Sequence, residues 1–426
     1  MEANPSPFST MNNKWLTIEP SAKVQDLHSR ESGNPEFLIS SGPPLEFIPV
    51  KAGMVATPFL SFTIGSMYNC YFSRHWKKKR REVMKMYFDK DNGPIDEIIT
   101  QLLETAEGIR RPKYVREMII ASLKAGQEDD KSADLKLMNT TLKEMRFTSK
   151  VFGPYHNVRK VTVFGSARTQ PDEELYEMAK LFGKKLAEAG YMVITGGGDG
   201  IMQAANEGAG SEHSFGVNIR LPFEQKPNAV LEGNPRVITY KYFFNRKVAF
   251  LKEADAVALF PGGFGTLDEA METLTLLQTG KRNPMPLVLV DNPQCSYWSH
   301  MVKLFEEELL GRNYIHASDF ALFERVCSVD EAVEKIHHFY SRYHSIRYVH
   351  GQLVIRLTSE LKADDIAKLT DQFQDILLPG GSISASKALE AEMDDADLIH
   401  LPRLVIDFNR RYFGRLRNLI DAINDF

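Results

Sequence analysis

Three short apolar runs in the middle of the chain are each followed directly by glycine and small polar residues. The three segments are Gly165-Ser166-Ala167-Arg168, Gly196-Gly197-Gly198-Asp199-Gly200 and Pro261-Gly262-Gly263-Phe264-Gly265-Thr266. Glycine lets the backbone approach a ligand closely, and the start of a following helix offers free N–H groups and the positive end of the helix dipole. If these turns meet at one edge of a sheet, they predict a site for a nucleotide or sugar phosphate. The alternative is three tight strand-to-helix turns that hold no ligand.

The glycine spacing does not fit the two commonest phosphate-binding motifs. After Gly196 and Gly198, Ile201 stands where the dinucleotide motif GxGxxG requires its last glycine. A Walker A loop is also missing, because Gly280-Lys281 is followed by Arg282 instead of Ser or Thr. The sequence therefore supports neither a standard dinucleotide site nor ATP hydrolysis.

The segment Thr266-Leu267-Asp268-Glu269 fits two interpretations. As a capping box, Thr266 would cap a helix and Glu269 would reach back to its backbone N–H. As chemistry, a carboxylate beside a phosphate-binding turn can stabilise positive charge at the anomeric carbon of a ribose, as carboxylates do in glycoside hydrolysis. Arg246 is open in the same way, since it is either a surface group or a residue that holds the phosphate bidentately or stabilises a leaving base. Taken alone, these residues favour the cap and the surface group.

The elements that must position these residues lie between about residues 158 and 345. Short apolar runs alternate there with amphipathic segments of helical length, which is typical of βαβ units. Strands are predicted at 161–164, 191–195, 215–219, 237–240, 256–260 and 287–290, and helices at 171–189, 243–253, 267–278, 298–310 and 328–340. This pattern predicts an α/β fold with a doubly wound, Rossmann-like parallel sheet, whose ligand lies beyond the carboxyl ends of the strands.

The flanks are predicted as an N-terminal extension domain over 1–153 and a small C-terminal α+β domain over 346–426, around a central domain at 154–345. In the first, 94–106 and the stripe Leu135, Met138, Leu142, Met145 have helical spacing and are expected to face a core. In the last, strands are predicted at 352–357 and 401–408, helices at 362–373 and 411–423, and a flexible loop at 379–386.

The composition is that of a globular protein, with 426 residues of which 43% are hydrophobic and 25% charged. A net charge of -4 excludes attraction of the whole chain to nucleic acid or membrane. The basic run 74–81 is either a solvated face or a site for an anionic effector or nucleic acid. The chain has three cysteines without CxxC spacing, which predicts a reducing compartment. It shows no apolar leader and no apolar run of about 18 residues, which predicts a cytoplasmic protein with no membrane partner.

The four glycine- and arginine-bearing elements together resemble a known family. The sequence PGGFGTLDE at 261–269 matches the PGGxGTxxE motif of the Lonely guy (LOG) phosphoribohydrolases, and Asn245-Arg246-Lys247 is similar to the RK element before it. Residues 195–202 and 165–168 resemble the two earlier glycine-bearing elements of the family. The resemblance covers about 158–345, and the whole chain looks most like the larger bacterial nucleotide 5′-monophosphate nucleosidases.

This resemblance implies hydrolysis of the N-glycosidic bond of a purine or pyrimidine nucleoside 5′-monophosphate, such as AMP, to a free base and ribose 5-phosphate. It implies no metal and no organic cofactor, and a homo-oligomer with the active site near a subunit interface. The implied catalytic residues are Arg246 and Glu269, and the implied substrate- and phosphate-binding residues are Gly165, Ser166, Arg168, Gly197, Gly198, Gly262, Gly263, Gly265 and Thr266. A non-hydrolytic nucleotide-binding regulatory protein is the alternative. Relatives are often labelled lysine decarboxylases, but nothing in the sequence identifies a pyridoxal phosphate lysine.

Overall fold

The computed structural model describes residues 93–426, apart from 129–130, 223–225, 295 and 394. The basic run 74–81, interpreted as either a solvated face or a site for an anionic effector or nucleic acid, lies outside the described residues. All statements below concern the described part of the chain.

A seven-stranded sheet forms the centre of the fold, and every neighbouring pair of its strands is parallel. The strand order is β4-β3-β2-β1-β5-β6-β7. The strands are β1 Lys160–Phe164, β2 Met192–Thr195, β3 Ser214–Ile219, β4 Val237–Tyr240, β5 Ala256–Leu259, β6 Leu287–Val290 and β7 Glu324–Val326. The predicted doubly wound, Rossmann-like sheet is confirmed, and the order reverses beside β1, which has β2 on one side and β5 on the other.

The strands are continuous apolar runs because both faces of the sheet are covered. In β5, Val257 and Leu259 belong to the core cluster on one face, whereas Ala256 and Ala258 belong to the cluster on the other. All four side chains are fully buried. The sheet therefore divides the central core into two layers of side chains.

Helices pack on both faces of this sheet and also precede and follow it. They are α1 Pro94–Thr105, α2 Pro112–Glu128, α3 Ser132–Phe152, α4 Glu174–Glu188, α5 Ile201–Ala209, α6 Phe243–Glu253, α7 Phe264–Gln278, α8 Ser296–Leu304, α9 Val329–Phe339, α10 Ala363–Gln372 and α11 Phe413–Asn424. One face is covered by α4, α5 and α9, and the other by α3, α6, α7 and α8. Gly190, which follows α4, has a φ of 83°, so the predicted glycine stop is confirmed.

The predicted core-facing stripe of α3 is only partly correct. Met145 packs against the central core, but Met138 and Leu142 are 49% and 48% exposed. Ile98 on α1 is 63% exposed. Helical periodicity identified these helices correctly, yet it does not show whether another element covers the apolar face.

A second, four-stranded antiparallel sheet lies near the C-terminus, with strand order β10-β11-β9-β8. Its strands are β8 Tyr343–Val349, β9 Gln352–Leu357, β10 Ile383–Ser386 and β11 Arg403–Ile406. The loop predicted at 379–386 is wrong over 383–386, because β10 pairs with β11 along its whole length. Only one large apolar residue, Ile383, marks this strand in the sequence. The predicted domain boundary at 345/346 falls within β8, and the domain division stays a prediction.

Two features bear on the predicted environment of the protein. Within the described residues, no helix has both the length and the apolar character needed to span a bilayer. Cys327 is disulfide-bonded, and the other two cysteines of the chain, Cys70 and Cys295, lie outside the described residues. The cytoplasmic location stays a prediction.

One buried ion-pair network holds the second sheet together. Glu392 is fully buried and its two oxygens face Arg356 on β9, at 2.7 Å, and Arg403 on β11, at 3.1 Å. Arg356 and Arg403 are 5% and 1% exposed. Removing the shared carboxylate would leave Arg403 buried without a carboxylate and Arg356 with Asp395 alone, at 2.8 Å, which is more costly than losing a surface ion pair.

We therefore expect Glu392→Ala to lower the free energy of unfolding by about 3 to 5 kcal/mol. Urea denaturation followed by circular dichroism measures the change. Glu390→Ala, which alters an exposed residue of the same turn, is the matched control and should cost less than about 0.5 kcal/mol. A loss below about 1 kcal/mol in Glu392→Ala would show that the network contributes little.

Candidate active site

The turns after β1, β2 and β5 meet at the carboxyl edge of the parallel sheet. The amide of Ser166 donates to the carbonyl of Pro261 at 3.0 Å, and the amide of Ile201 donates to the carbonyl of Ser166 at 3.0 Å. A Cβ atom on Gly262 would lie 2.9 Å from the Ser166 amide nitrogen, so only glycine permits this approach. The first turn is thus hydrogen-bonded to both of the others.

A cavity of about 730 Å³ opens at this edge. It is lined by nine of the residues proposed from the sequence, namely Gly165, Ser166, Arg168, Arg246, Gly262, Gly263, Gly265, Thr266 and Glu269. Met202, Phe243 and Phe264 also line it and were not proposed. Phe264 and Met202 lie within the motif segments 261–269 and 195–202, and Phe243 stands three residues before Arg246, but an apolar side chain gave no chemical signal of its own.

Gly197 and Gly198 are not among the residues that line the cavity. The amide of Gly197 donates to Oγ1 of Thr195 at 3.0 Å, and the backbone amide of Asn228 donates to the Gly197 carbonyl at 2.9 Å. The side chain of Asn228 donates to the Gly198 carbonyl at 3.1 Å. These bonds hold the turn against the protein, and the phosphate contacts of Gly197 and Gly198 stay a prediction.

Helix α7 begins earlier than the sequence suggested. Its first residue is Phe264 and its N-cap is Gly263, whose carbonyl accepts the amide of Thr266 at 3.0 Å. Thr266 is therefore inside the first turn, and Glu269 lies in the next turn. The capping-box interpretation of these two residues is wrong, because the glycine-rich turn already allows the helix to start before the threonine.

The start of α7 offers unused backbone donors. Among the described residues, no acceptor takes the amides of Gly263, Phe264 or Gly265. They stand at the positive end of a 15-residue helix and open onto the cavity. Free amides combined with the helix dipole favour an anion such as a phosphate.

Glu269 is the most perturbed acid of the cavity. Its side chain is buried, with 8% of the residue exposed, and within the described chain its Oε2 has no hydrogen-bond partner. Burial raises the pKa of Glu269 to about 7, although the nearby cation of Lys247 opposes the increase. A carboxyl group with a pKa near neutrality can exist in both protonation states at physiological pH, which suits acid–base or electrostatic catalysis.

Arg246 extends from α6 into the same cavity and is not the surface group that the residue alone suggested. Its Nε donates to the carbonyl of Val217 at 2.9 Å, and its guanidinium carbon lies 5.0 Å from the centroid of the Phe250 ring. A Cβ atom on Gly196 would lie 2.6 Å from Nη2 of Arg246, so the second turn is shaped around this guanidinium. Burial lowers the pKa of Arg246. Within the described chain no carboxylate oxygen lies within 4.0 Å of Arg246, which leaves it available to an anionic ligand.

The position of Arg246 depends on α3, outside the predicted site. Glu144 of α3 accepts the backbone amide of Lys241 at 2.6 Å through Oε1 and the side-chain amide of Asn245 at 2.6 Å through Oε2. Asn245 is 2% exposed and directly precedes Arg246. One carboxylate therefore fixes the beginning of α6. Sequence reasoning missed Glu144, and about a hundred residues separate it from its partners without any local signal.

The described residues do not fit a pyridoxal phosphate site at Lys247. Its Nζ contacts Glu272 at 2.7 Å and Asp268 at 2.9 Å. Burial lowers the pKa of Lys247, but the hydrogen bonds to these two carboxylates raise it overall. A Schiff-base lysine needs a neutral amine, whereas this environment favours the ammonium form.

We expect Glu269→Gln to stabilise the fold by an amount that grows with pH. The folded protein keeps the Glu269 proton up to about pH 7, whereas the unfolded chain releases it near 4.5, so the stability contributed by this carboxyl falls as the pH rises through that interval. Glutamine has no such loss. Above pH 7 the gain in the free energy of unfolding should reach about 2 to 3 kcal/mol.

Urea denaturation of both proteins from about pH 4 to about pH 9 measures this difference. Glu188→Gln, on an exposed position of α4, is the control and should give a small difference without a trend in pH. A difference for Glu269→Gln that stays constant over the whole range would contradict the raised pKa.

The chain is similar to known proteins over its central part. A family model described as "Possible lysine decarboxylase" matches residues 200–336. A "probable cytokinin riboside 5′-monophosphate phosphoribohydrolase" of Oryza sativa subsp. japonica is 27% identical over 183 residues, which cover 42% of this chain and 76% of the relative. A cytokinin riboside 5′-monophosphate phosphoribohydrolase of Arabidopsis thaliana is 27% identical over 157 residues, which cover 36% of this chain and 71% of the relative.

Solved structures also match part of the chain. The molybdenum cofactor carrier protein of Chlamydomonas reinhardtii is 19% identical with a TM-score of 0.30, and the match covers 42% of this chain and 96% of that one. The molybdenum cofactor binding protein of Rippkaea orientalis is 20% identical with a TM-score of 0.30, over 42% of this chain and 94% of that one.

Proposed function

The chain belongs to the LOG family, and from this membership and the geometry of the cavity we propose that it is a nucleotide phosphoribohydrolase. Its substrates are purine or pyrimidine nucleoside 5′-monophosphates of the AMP type. Its products are the free base and ribose 5-phosphate. The observation that carries the proposal is Glu269, a buried carboxyl group without a partner at Oε2, in the same cavity as the free amides of α7.

Phosphate recognition is assigned to the start of α7. The free amides of Gly263, Phe264 and Gly265 can donate to phosphate oxygens without displacing any acceptor of the described residues. This binding energy is remote from the bond that breaks, so it can be used to orient the ribose. The exposed rings of Phe243 and Phe264 offer faces on which a purine or pyrimidine can stack.

The reaction breaks the bond between C1′ of the ribose and the base nitrogen. The electron pair of that bond leaves with the base, the oxygen of a water molecule bonds to C1′, and a proton from this water ends on the base. Positive charge develops on the sugar in the transition state. Ionised Glu269 stabilises this charge or orients the ribose hydroxyls and the water, and Arg246 holds the phosphate or favours departure of the base.

The test is release of free base and ribose 5-phosphate from a panel of nucleoside monophosphates. The unaltered protein should release base. The turnover of a folded Glu269→Gln should be lower by roughly a hundredfold or more, because this variant lacks the carboxylate charge. Arg246→Ala should also lose turnover. Weaker substrate binding with unchanged turnover would show that Arg246 binds the substrate and the transition state equally well. Glu188→Gln, far from the cavity, should match the unaltered protein.

The alternative, a nucleotide-binding regulatory protein without hydrolysis, predicts a different result in the same assay. No monophosphate would yield free base, and a nucleotide complex would be recovered intact after long incubation. That outcome would remove the proposed activity while leaving the phosphate cradle in place.

The link from α3 to α6 gives a second expected outcome. Glu144→Ala should lower turnover by about tenfold, because the Lys241 amide loses its acceptor, Asn245 keeps only the longer bond to Thr141, and Arg246 is less well positioned. In an Arg246→Ala background the same change should cost little more, since the residue through which it acts is already gone.

Steady-state kinetics of the two single variants and the double variant give this coupling. Lys143→Ala, at the exposed neighbouring position, is the control. Equal losses from Glu144→Ala in both backgrounds would show that Glu144 does not act through Arg246.

We also propose that the protein is a homo-oligomer with the cavity near a subunit interface. The apolar side chains of Phe243, Phe244 and Val248 on α6 are 56%, 46% and 49% exposed, and Phe264 at the cavity is 92% exposed. Clustered exposed apolar groups beside a cavity support a protein interface at this place.

A further inference from the structure

One lysine of α6 contacts three carboxylates of α7. The Nζ atom of Lys247 lies 2.7 Å from Glu272, 2.9 Å from Asp268 and 3.5 Å from Oε1 of Glu269. The side chains of Lys247 and Glu269 are 18% and 10% exposed, so this contact is largely shielded from water. Ion pairs with so little exposure are less weakened by solvent than surface pairs.

The two carboxylate oxygens of Glu269 have different surroundings. Lys247 faces Oε1, whereas Oε2 has no hydrogen-bond partner among the described residues. Lys247 directly follows Arg246, whose Nε is bound to the Val217 carbonyl. Successive residues of a helix point about 100° apart, so one turn of α6 delivers one cation to the carboxylate and another to the wall of the cavity.

We propose that Lys247 is a positioning residue, whose ammonium group holds Oε1 of Glu269 and leaves Oε2 available to the substrate or to water. This proposal rests on the proposed hydrolysis of nucleoside monophosphates, in which ionised Glu269 acts on the ribose. Asp268 and Glu272 also contact this ammonium group, and their negative charges weaken its stabilisation of ionised Glu269.

The charged groups that face Glu269 come from two helices. Lys247 and Arg246 of α6 favour its ionised form, and Asp268 and Glu272 of α7 oppose it. Removing Lys247 should therefore make Glu269 harder to ionise. Removing the charge of Glu272 should make it easier to ionise, both directly and because Lys247 then has one carboxylate fewer to neutralise.

The test compares how kcat/KM depends on pH in these variants. In the unaltered protein, activity should fall below about pH 7 as Glu269 takes up its proton. Lys247→Met should shift this acidic limb to higher pH by about one unit, and Glu272→Gln should shift it to lower pH. Lys247→Arg, which keeps the positive charge, should restore most of the original profile. Lys185→Met, which removes the lysine of a surface ion pair with Asp330 on another face, should leave the profile unchanged.

A direct titration separates failure of this proposal from failure of the proposed function. The carboxyl carbon of Glu269, followed by carbon-13 NMR in the ligand-free protein, should show the same opposite shifts in Lys247→Met and Glu272→Gln. This measurement needs no turnover. If the NMR shifts occur but no base is released, the enzymatic role fails and the electrostatic link remains. Shifts in the same direction, or no shift in Glu272→Gln, would overturn the proposal even if Lys247→Met failed to fold.

Discussion

The burial of one carboxyl group, that of Glu269, determines how the rest of the site is built. An isolated carboxylate is costly to bury, and within the described chain Oε2 has no hydrogen-bond partner to offset this cost. The surrounding charges reduce the cost only partly, because Lys247 is shared with two other carboxylates and Arg246 lies beyond ion-pair distance. The site therefore keeps an acid that is neither fully neutralised nor fully hydrogen-bonded. Such a group suits the proposed reaction, in which a charge appears on the substrate only in the transition state.

The parallel sheet provides the place where this group and its partners meet. Since β1 lies between β2 and β5, the strand order reverses at the point where the three turns converge. Gly262 permits the close contact between two of these turns, and α7 starts immediately after them. One helix consequently carries the free amides at its first turn and Glu269 in its second. Helical geometry therefore holds the free amides and the acid at a fixed separation.

The sequence predicted what local patterns determine. Strands 237–240 and 287–290 and helix 243–253 occur with the predicted bounds, because apolar periodicity reports burial on the two faces of the sheet. It failed where the outcome depends on distant partners. The apolar stripe of α3 has the same spacing in the sequence whether or not another element covers it. Strand β10 has a single large apolar residue, so its pairing with β11 leaves little signal in the sequence. In the site, the glycine motif identified most of the cavity wall, but it could not show that Asn228 holds the carbonyls of Gly197 and Gly198.

Helix α3 lies before the residues matched by the family model, yet its contact with α6 bears on the candidate site. The motif residues could occur in the same order in a chain that lacks α3, yet here the start of α6 has Glu144 as the acceptor of two of its donors. Because one of these donors belongs to Asn245, the residue directly before Arg246, we expect any loosening of α3 to disturb the position of the guanidinium. Positioning within a fraction of an ångström affects rates strongly, since interactions with a transition state depend on distance and direction. A segment outside the matched residues 200–336 is thus a physical part of the site.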